Sequence, residues 1–203
     1  VDGIARIRLS SIEPMDVPSN LIRAVSELPK VARHFHIPLQ SGSTAVLDRM
    51  RRKYTQEGFL DLVTALYDEM PDVGLTTDVM VGFPGETEAE FEDTYRVVEK
   101  SAFHRLHVFR YSPREGTPAA AYTDQVPPAV AIARSKAVRE LGKRLERQYQ
   151  DASVGSLGDV MIENGREGPR EELAGYTGNY LRVLTDAHDA DRGTLRRVEL
   201  VGV

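Results

Sequence analysis

The sequence predicts an α/β chain: part of an open, TIM-like parallel barrel over residues 1–150, then a small all-β unit over residues 151–203. Three observations carry this. Strand-like runs alternate with amphipathic helical stretches at a spacing of roughly thirty residues, the signature of right-handed βαβ units. Four such strand runs occur, too few for a closed barrel of about eight. After Gln150 the helical period gives way to short alternating runs divided by turn residues, the pattern of a small barrel or sandwich.

The elements follow in order. Residues 4–12 (IARIRLSSI) alternate as a strand does, Ile4, Leu9 and Ile12 against Arg6, Arg8 and Ser10, until Glu13-Pro14 stops them. A helix starts at Pro18-Ser19, carries Leu21, Ile22, Val25 and Leu28 on one face, and ends at Pro29. The run 34–39 is the second strand. It passes through Gln40-Ser41-Gly42-Ser43 into a helix bearing Val46, Leu47 and Met50. Ser43 is the expected N-cap, and Gly42 lets the backbone turn or admits a ligand closely. Residues 55–70 form the next helix, broken by Pro71-Asp72. Residues 74–82 are the third strand, Phe83-Pro84-Gly85-Glu86 a tight turn, and Thr87 with Glu90 a capping box for a helix through Phe91, Tyr95 and Val98. Residues 105–111 are the fourth strand and 112–128 a long loop. The helix 130–149 turns Val130, Ala137, Val138, Leu141, Leu145 and Tyr149 inward, and Arg134, Lys136, Arg139, Lys143, Arg144 and Arg147 outward. The last unit has runs at 157–162, 180–184 and 195–201, with turns expected at Asn164-Gly165 and Gly178-Asn179.

The chain is mildly acidic, with a formal net charge of -5. It has no cysteine, which excludes disulfides and thiolate metal ligands within these residues. His34/His36 and His104/His107 are close in sequence but lack helical metal-ligand spacing, and His188 stands apart. No apolar run is long enough to span a bilayer and no signal peptide is evident, so the expected location is cytoplasmic. Val1 starts in mid-pattern, and a first strand at 4–12 would expose an unpaired edge. Both lead to the expectation that a missing N-terminal part supplies further strands of the same sheet.

Ligand sites of parallel α/β folds lie at the carboxyl ends of strands. There the chain gathers Ser10-Ser11-Ile12-Glu13-Pro14, Gln40 to Ser43, Asp78 to Thr87, and Tyr111 to Pro118. Polar groups and glycines on one rim suit a ligand. Each segment alone also fits a turn with a helix cap, and the glycine turn after Val81 lacks the lysine of a phosphate-binding loop. A lone strand histidine such as His36 also fits a core role, and Asp78 fits a partner for an arginine.

Together, RIRLSSIEP, HIPLQSGSTAVLDRMRRKYT, TTDVMVGFPGETEAEFEDT and LHVFRYSPREGTPAA resemble successive strands of the radical S-adenosylmethionine methylthiotransferases. RRKYT paired with LHVFRYSPREGTPAA, and GYTGNYLRV near the end, resemble most the branch that modifies threonylcarbamoyl-adenosine beside the anticodon of tRNA. The resemblance implies an N-terminal domain whose cysteines hold one 4Fe-4S cluster. It implies a radical SAM core whose C-x-x-x-C-x-x-C loop holds a second, and a C-terminal RNA-binding TRAM domain, an OB-like barrel. The second cluster cleaves S-adenosylmethionine to a 5′-deoxyadenosyl radical that activates a C–H bond of the base. Without a cysteine this chain cannot hold either cluster, and alone it is expected to be inactive.

By the same resemblance the rim contacts S-adenosylmethionine. Ser10 or Ser11 and Gln40 suit its carboxylate, amine or ribose hydroxyls, with Ser41 and His36 beside them. Asp78 takes the ribose or the ammonium. Gly82 admits the adenine edge, with Val81 and Phe83 packing alongside. Arg51, Arg52 and Lys53, following Arg49, are candidates for RNA phosphates, or simply complement a helix dipole. The basic side of the 130–149 helix reads as a solvated face, and the last unit is more acidic than basic. The implied partners are tRNA and the N-terminal part of the same enzyme. The rival readings are a methylthiotransferase acting on an aspartate of a ribosomal protein, a non-catalytic RNA-binding module, and a barrel lyase or aldolase. The last would want a lysine or a carboxylate pair at the rim.

Overall fold

The computed structural model describes residues 2–168 and 171–203. A short 3₁₀ turn, Pro14–Asp16, precedes helix α1 (Ser19–Glu27). Then come β1 (His34–His36), α2 (Thr44–Arg49), α3 (Gln56–Glu69), β2 (Gly74–Val81), α4 (Glu88–Ser101), β3 (Arg105–Arg110) and the long α5 (Pro128–Ser153). The three strands lie in chain order and all pair in parallel. The capping box of Thr87 and Glu90 is present. Ser43 precedes α2 but its side chain makes no cap bond.

The period-two alternation of the strands divides the sheet. Phe35, Leu75, Val79, Val81 and Val108 point to one face and are buried in the core with Phe59 and Leu66 of α3, Val98 of α4 and Leu141 of α5. His36, Thr76, Asp78, Met80, His107 and Phe109 belong to the other face. Among the described residues no α-helix covers that side, and Phe109 is 50% exposed there.

The sheet has three strands rather than four. Residues 4–12 touch it through single parallel bridges, Ile7 to Val31 and Ser11 to His36. Strict alternation holds only from Arg6 to Ser10, since Ile4 and Ile12 share their parity with Arg6, Arg8 and Ser10; Ile4 and Ile7 remain 38% and 43% exposed, so the segment buries too little to hold a continuous ladder. Its arginines serve a different purpose. Arg6 donates to the carbonyls of Asp159 and Tyr176, and Arg8 to those of Thr177 and Gly178.

Those carbonyls belong to the second unit: β4 (Leu157–Glu167), β5 (Glu172–Tyr176), β6 (Arg182–Thr185) and β7 (Leu195–Glu199). They form an antiparallel sheet ordered β6-β5-β4-β7, curled as a half-barrel around Val160, Ile162 and Leu173. Asn164-Gly165 is no turn. It lies inside β4, where the register with β5 shifts between Ile162 and Arg166, and such a bulge bends a strand. The unpredicted strand β5 crosses β4 so closely that a side chain at Gly175 would strike the Met161 carbonyl.

The two units meet at the amino ends of β1 and β2. Tyr180 stacks on Tyr176, lies 4.4 Å from the His34 ring and receives the Arg8 guanidinium at 4.6 Å. Asn179 donates to the Asp72 carbonyl at 3.2 Å. Among the described residues no helix is long and apolar enough to cross a membrane.

Candidate functional site

The turn after β2 is built by a buried ion pair. Gly82 and Gly85 have φ of 75° and 74°, the left-handed region that glycine enters without strain. The Gly82 N–H donates to Glu86 Oε2 at 2.7 Å, and Arg134 Nη1 donates to the same oxygen at 2.8 Å. Arg134 Nη2 reaches Glu88 at 2.9 Å. Burial pushes the Glu86 carboxyl up, opposed by the Gly82 N–H and the Arg134 guanidinium. Arg134, expected on the outer side of its helix, is thus buried and fixes the turn to α5.

At the carboxyl ends of β2 and β3 a cavity of about 460 Å³ opens on the uncovered face. Met80, Phe83, Phe109, Tyr111 and Tyr122 give it apolar and aromatic walls, and Gln40 reaches it. Phe83 meets Tyr111 edge to face at 5.2 Å. Gln40 has φ 57°, and this left-handed kink turns its side chain out of the strand alternation. Its backbone still bridges to β2, accepting from Met80 and donating to Asp78 at 2.8 Å each. A non-glycine residue in this region is a strained position of the kind found at ligand sites.

Five arginines, Arg49, Arg51, Arg52, Arg110 and Arg114, also line the cavity. Arg49 is tied to Glu90 at 2.9 Å; that bond raises the arginine's pKa and lowers the carboxylate's. Arg52 is tied to Glu13 at 2.6 Å. Arg51 (φ 59°), Arg110 and Arg114 have no ion pair among the described residues. Of the three cations singled out from sequence, Arg51 therefore offers free charge and Arg52 is already neutralised. Lys53 is exposed just beyond α2 and does not line the cavity.

Below the cavity, on the same face, Asp78 sits between two imidazoles. His36 Nε2 is 3.3 Å from Asp78 Oδ2, and His107 Nδ1 is 3.9 Å from Oδ1. His36 Nδ1 lies 2.9 Å from Thr76 Oγ1. Ser11 bridges to His36 along the backbone. Ser11, His36, Gln40, Asp78 and Phe83 thus share one face or its rim. His107 joins them; its signal in the sequence was its strand position, two residues before Phe109.

The other candidates lie elsewhere. Ser41 is buried and bonds Thr94 of α4 at 3.1 Å, while the Gly42 N–H donates to the same hydroxyl at 2.9 Å. A Cβ on Gly42 would lie 2.6 Å from Thr94 Cα. The glycine therefore admits a helix, not a ligand. Val81 is in the helix-side core, and a Cβ on Gly82 would sit 2.8 Å from that of Ala131. Ser10 is exposed and alternates away from Ser11.

Residues 1–98 match the radical SAM superfamily. Over 203 aligned residues the chain is 39% identical to threonylcarbamoyladenosine tRNA methylthiotransferase MtaB of Bacillus subtilis, covering 99% of this chain and 45% of that protein. It is 43% identical over 196 residues to a tRNA-2-methylthio-N(6)-dimethylallyladenosine synthase of Acidothermus cellulolyticus, covering 95% of this chain and 39% of the relative. With the protein of that name from Acetivibrio thermocellus it shares 42% over 163 residues, 80% of this chain and 34% of the other. The chain spans less than half the length of these curated relatives. The structure of coproporphyrinogen III oxidase from Escherichia coli, a radical SAM enzyme, superposes with a TM-score of 0.53 at 12% identity, over 95% of this chain and 50% of that one. That likeness is one of fold alone. The superfamily match over residues 1–98, which include β1 and β2, and the homology along nearly the whole chain agree: the chain carries a radical SAM superfamily domain and is a homologue of the MiaB/MtaB-type tRNA methylthiotransferases, with no cysteine motif of its own.

Proposed function

We propose that this chain is the C-terminal part of a radical SAM enzyme that adds a methylthio group to threonylcarbamoyl-adenosine next to the anticodon of tRNA. The observation that supports this best is the cavity at the strand ends. Its aromatic walls suit stacking of an unpaired base, and Arg51, Arg110 and Arg114 suit the flanking phosphates. In this reading residues 1–150 are the later part of a partial TIM-like barrel, and residues 151–203 a TRAM-like, OB-like domain, with α5 running past the boundary to Ser153.

S-adenosylmethionine fits the polar floor beside that cavity. Asp78 accepts from ribose hydroxyls or the ammonium, and Gln40 and Ser11 add neutral hydrogen-bonding groups. Bound to a 4Fe-4S cluster, the cofactor supplies the 5′-deoxyadenosyl radical that the family resemblance implies. The residues present do not fit as ligands to either of the two clusters, because the chain has no cysteine. In this reading both clusters are held by the N-terminal part, and the isolated chain binds no iron.

The choice of branch rests on RRKYT and GYTGNYLRV, and on the nearly end-to-end match to the Bacillus subtilis protein. A second reading, dimethylallyladenosine as the base, is favoured by relatives of that name at 42% and 43% identity. The test supplies the cluster-loaded enzyme with tRNA bearing either modification and reads the nucleosides by mass spectrometry. Methylthiolation of the threonylcarbamoyl form is expected. Reaction of the dimethylallyl form alone establishes the second reading, and reaction of neither, or of a ribosomal-protein aspartate, rejects both.

A further inference from the structure

A row of hydrogen bonds runs from the junction of the two units to Asp78. Thr76 Oγ1 lies 3.1 Å from His34 Nε2 and 2.9 Å from His36 Nδ1. A hydroxyl carries one proton, so it can donate to only one of the two rings, and its bond to the other requires an N–H on that ring. The two ends of the row select the direction.

At the first end, His34 Nδ1 is buried with no partner. Burial, with Arg8 adding to it, pushes the His34 pKa down to about 3, so the ring is neutral and has one N–H. On Nδ1 that N–H is a buried donor without an acceptor, which is costly. On Nε2 it meets Thr76. His34 Nε2 therefore donates to Thr76 Oγ1, and the Thr76 hydroxyl donates to His36 Nδ1. His36 then carries its own proton on Nε2, facing Asp78 Oδ2 at 3.3 Å. The reverse order would orphan an N–H on His34 and set a bare Nε2 lone pair against the carboxylate. Both ends disfavour it.

We propose that Thr76 is a positioning residue: its hydroxyl fixes His36 as the Nε2–H tautomer, which engages Asp78 Oδ2 and leaves Oδ1 for the ligand. His107 Nδ1, 3.9 Å from Oδ1, is beyond hydrogen-bond reach and does not compete. Tyr180 of the β unit, 4.4 Å from the His34 ring, covers the far end of the row. Water there would satisfy Nδ1 and permit either order. The tautomer order stands on this chain alone; its service to S-adenosylmethionine rests on the cofactor reading above.

The experiment is ¹⁵N-resolved NMR of the imidazole rings in this chain at neutral pH. Wild type is expected to show His36 protonated on Nε2 and bare on Nδ1. Thr76→Val, which removes only the hydroxyl, gives a tautomer mixture, and Thr76→Ser restores the single form. Wild-type His36 protonated on Nδ1, or an unmixed Nε2–H form in Thr76→Val, overturns the proposal. Should Thr76→Val not fold, the wild-type and Thr76→Ser spectra decide. In the cluster-loaded enzyme, Thr76→Val weakens S-adenosylmethionine binding on the order of tenfold, the scale of orienting partners one bond removed from a ligand, and Thr76→Ser does not. Unchanged affinity overturns the positioning role even where the tautomer is as expected. Absence of binding in the wild-type enzyme overturns the cofactor reading, and the role with it.

Discussion

Arg134 Nη1 lies 2.8 Å from Glu86 Oε2, with the two side chains 7% and 0% exposed. Through this pair the longest helix holds the glycine turn that shapes the cavity, because the same Glu86 oxygen also receives the Gly82 N–H. A buried pair of this kind is costly to break from one side, since the surviving charge is left without compensation.

Arg134→Met is therefore expected to destabilise the chain by about 3–5 kcal/mol, read as a drop in melting temperature of roughly 2–4 °C per kcal/mol. Glu86→Gln together with Arg134→Met recovers part of the loss. A single variant that melts within about 2 °C of wild type would show that the pair is not buried in solution.

Gly42→Ala drives a methyl into the backbone of α4 and is expected to cost about 1–3 kcal/mol. Gly58→Ala, in the first turn of α3 with its nearest neighbour at 3.4 Å, is expected to stabilise by about 0.4–1 kcal/mol. Denaturant midpoints of the two variants should move in opposite directions. Movement of both in the same direction would contradict the close approach of α4.

Acid should loosen the junction. Burial pushes His34 down to about 3 and His104 to about 4, below the ordinary value near 6.5. Between those limits the unfolded chain binds protons that the folded chain does not, so stability rises with pH there. The contribution is fully present above about 6.5 and is lost as pH falls toward 4, at about 1.4 kcal/mol per pH unit for each ring. Glu86, raised by burial, acts in the opposite sense above its ordinary range. His104→Phe keeps the stacking on Tyr149, 4.7 Å away, and removes one ring's share. Urea denaturation across this window should show a shallower pH slope in the variant; equal slopes would refute the assignment.

Arg51→Gln and Arg110→Gln should each weaken binding of a single-stranded oligoribonucleotide and lower the salt slope by about 0.7, the share of one phosphate. Arg144→Gln serves as the control, since Arg144 is paired with Glu99 at 2.7 Å and does not line the cavity. Anisotropy titrations at several salt concentrations measure this. Equal losses in all three variants would mean a diffuse charge effect rather than a cavity with its own phosphate contacts.

Local periods were enough to find β2, β3, α3 and α4, because their caps, breakers and apolar stripes agree. They misled at residues 4–12, where alternation says nothing about whether a neighbour exists to complete a ladder. They misled at Arg134, because a helical stripe assigns a cation to solvent while its partner Glu86 arrives from a distant turn. At the site, Gln40, His36 and Asp78 were visible as polar residues near strand ends. Ser41 and Gly42 carried the same signal for a different cause: a helix hydroxyl, Thr94, makes the same demand on a strand end as a ligand does. His107 was visible only as one of a histidine pair and not as part of the rim, because its meaning depends on register with Asp78, which only the paired sheet supplies.

The place where the β unit docks has a consequence for length. It grips the amino ends of β1 and β2, and the cavity opens at their carboxyl ends. The eight residues of β2 separate them by about 26 Å at ~3.3 Å per residue. A free nucleoside cannot touch both, whereas a folded RNA arm can. With Arg6, Arg8 and Asn179 bonding across the junction, the two ends are held at a set spacing; under the tRNA reading proposed above, an RNA that engages both is selected by its reach before any base is read.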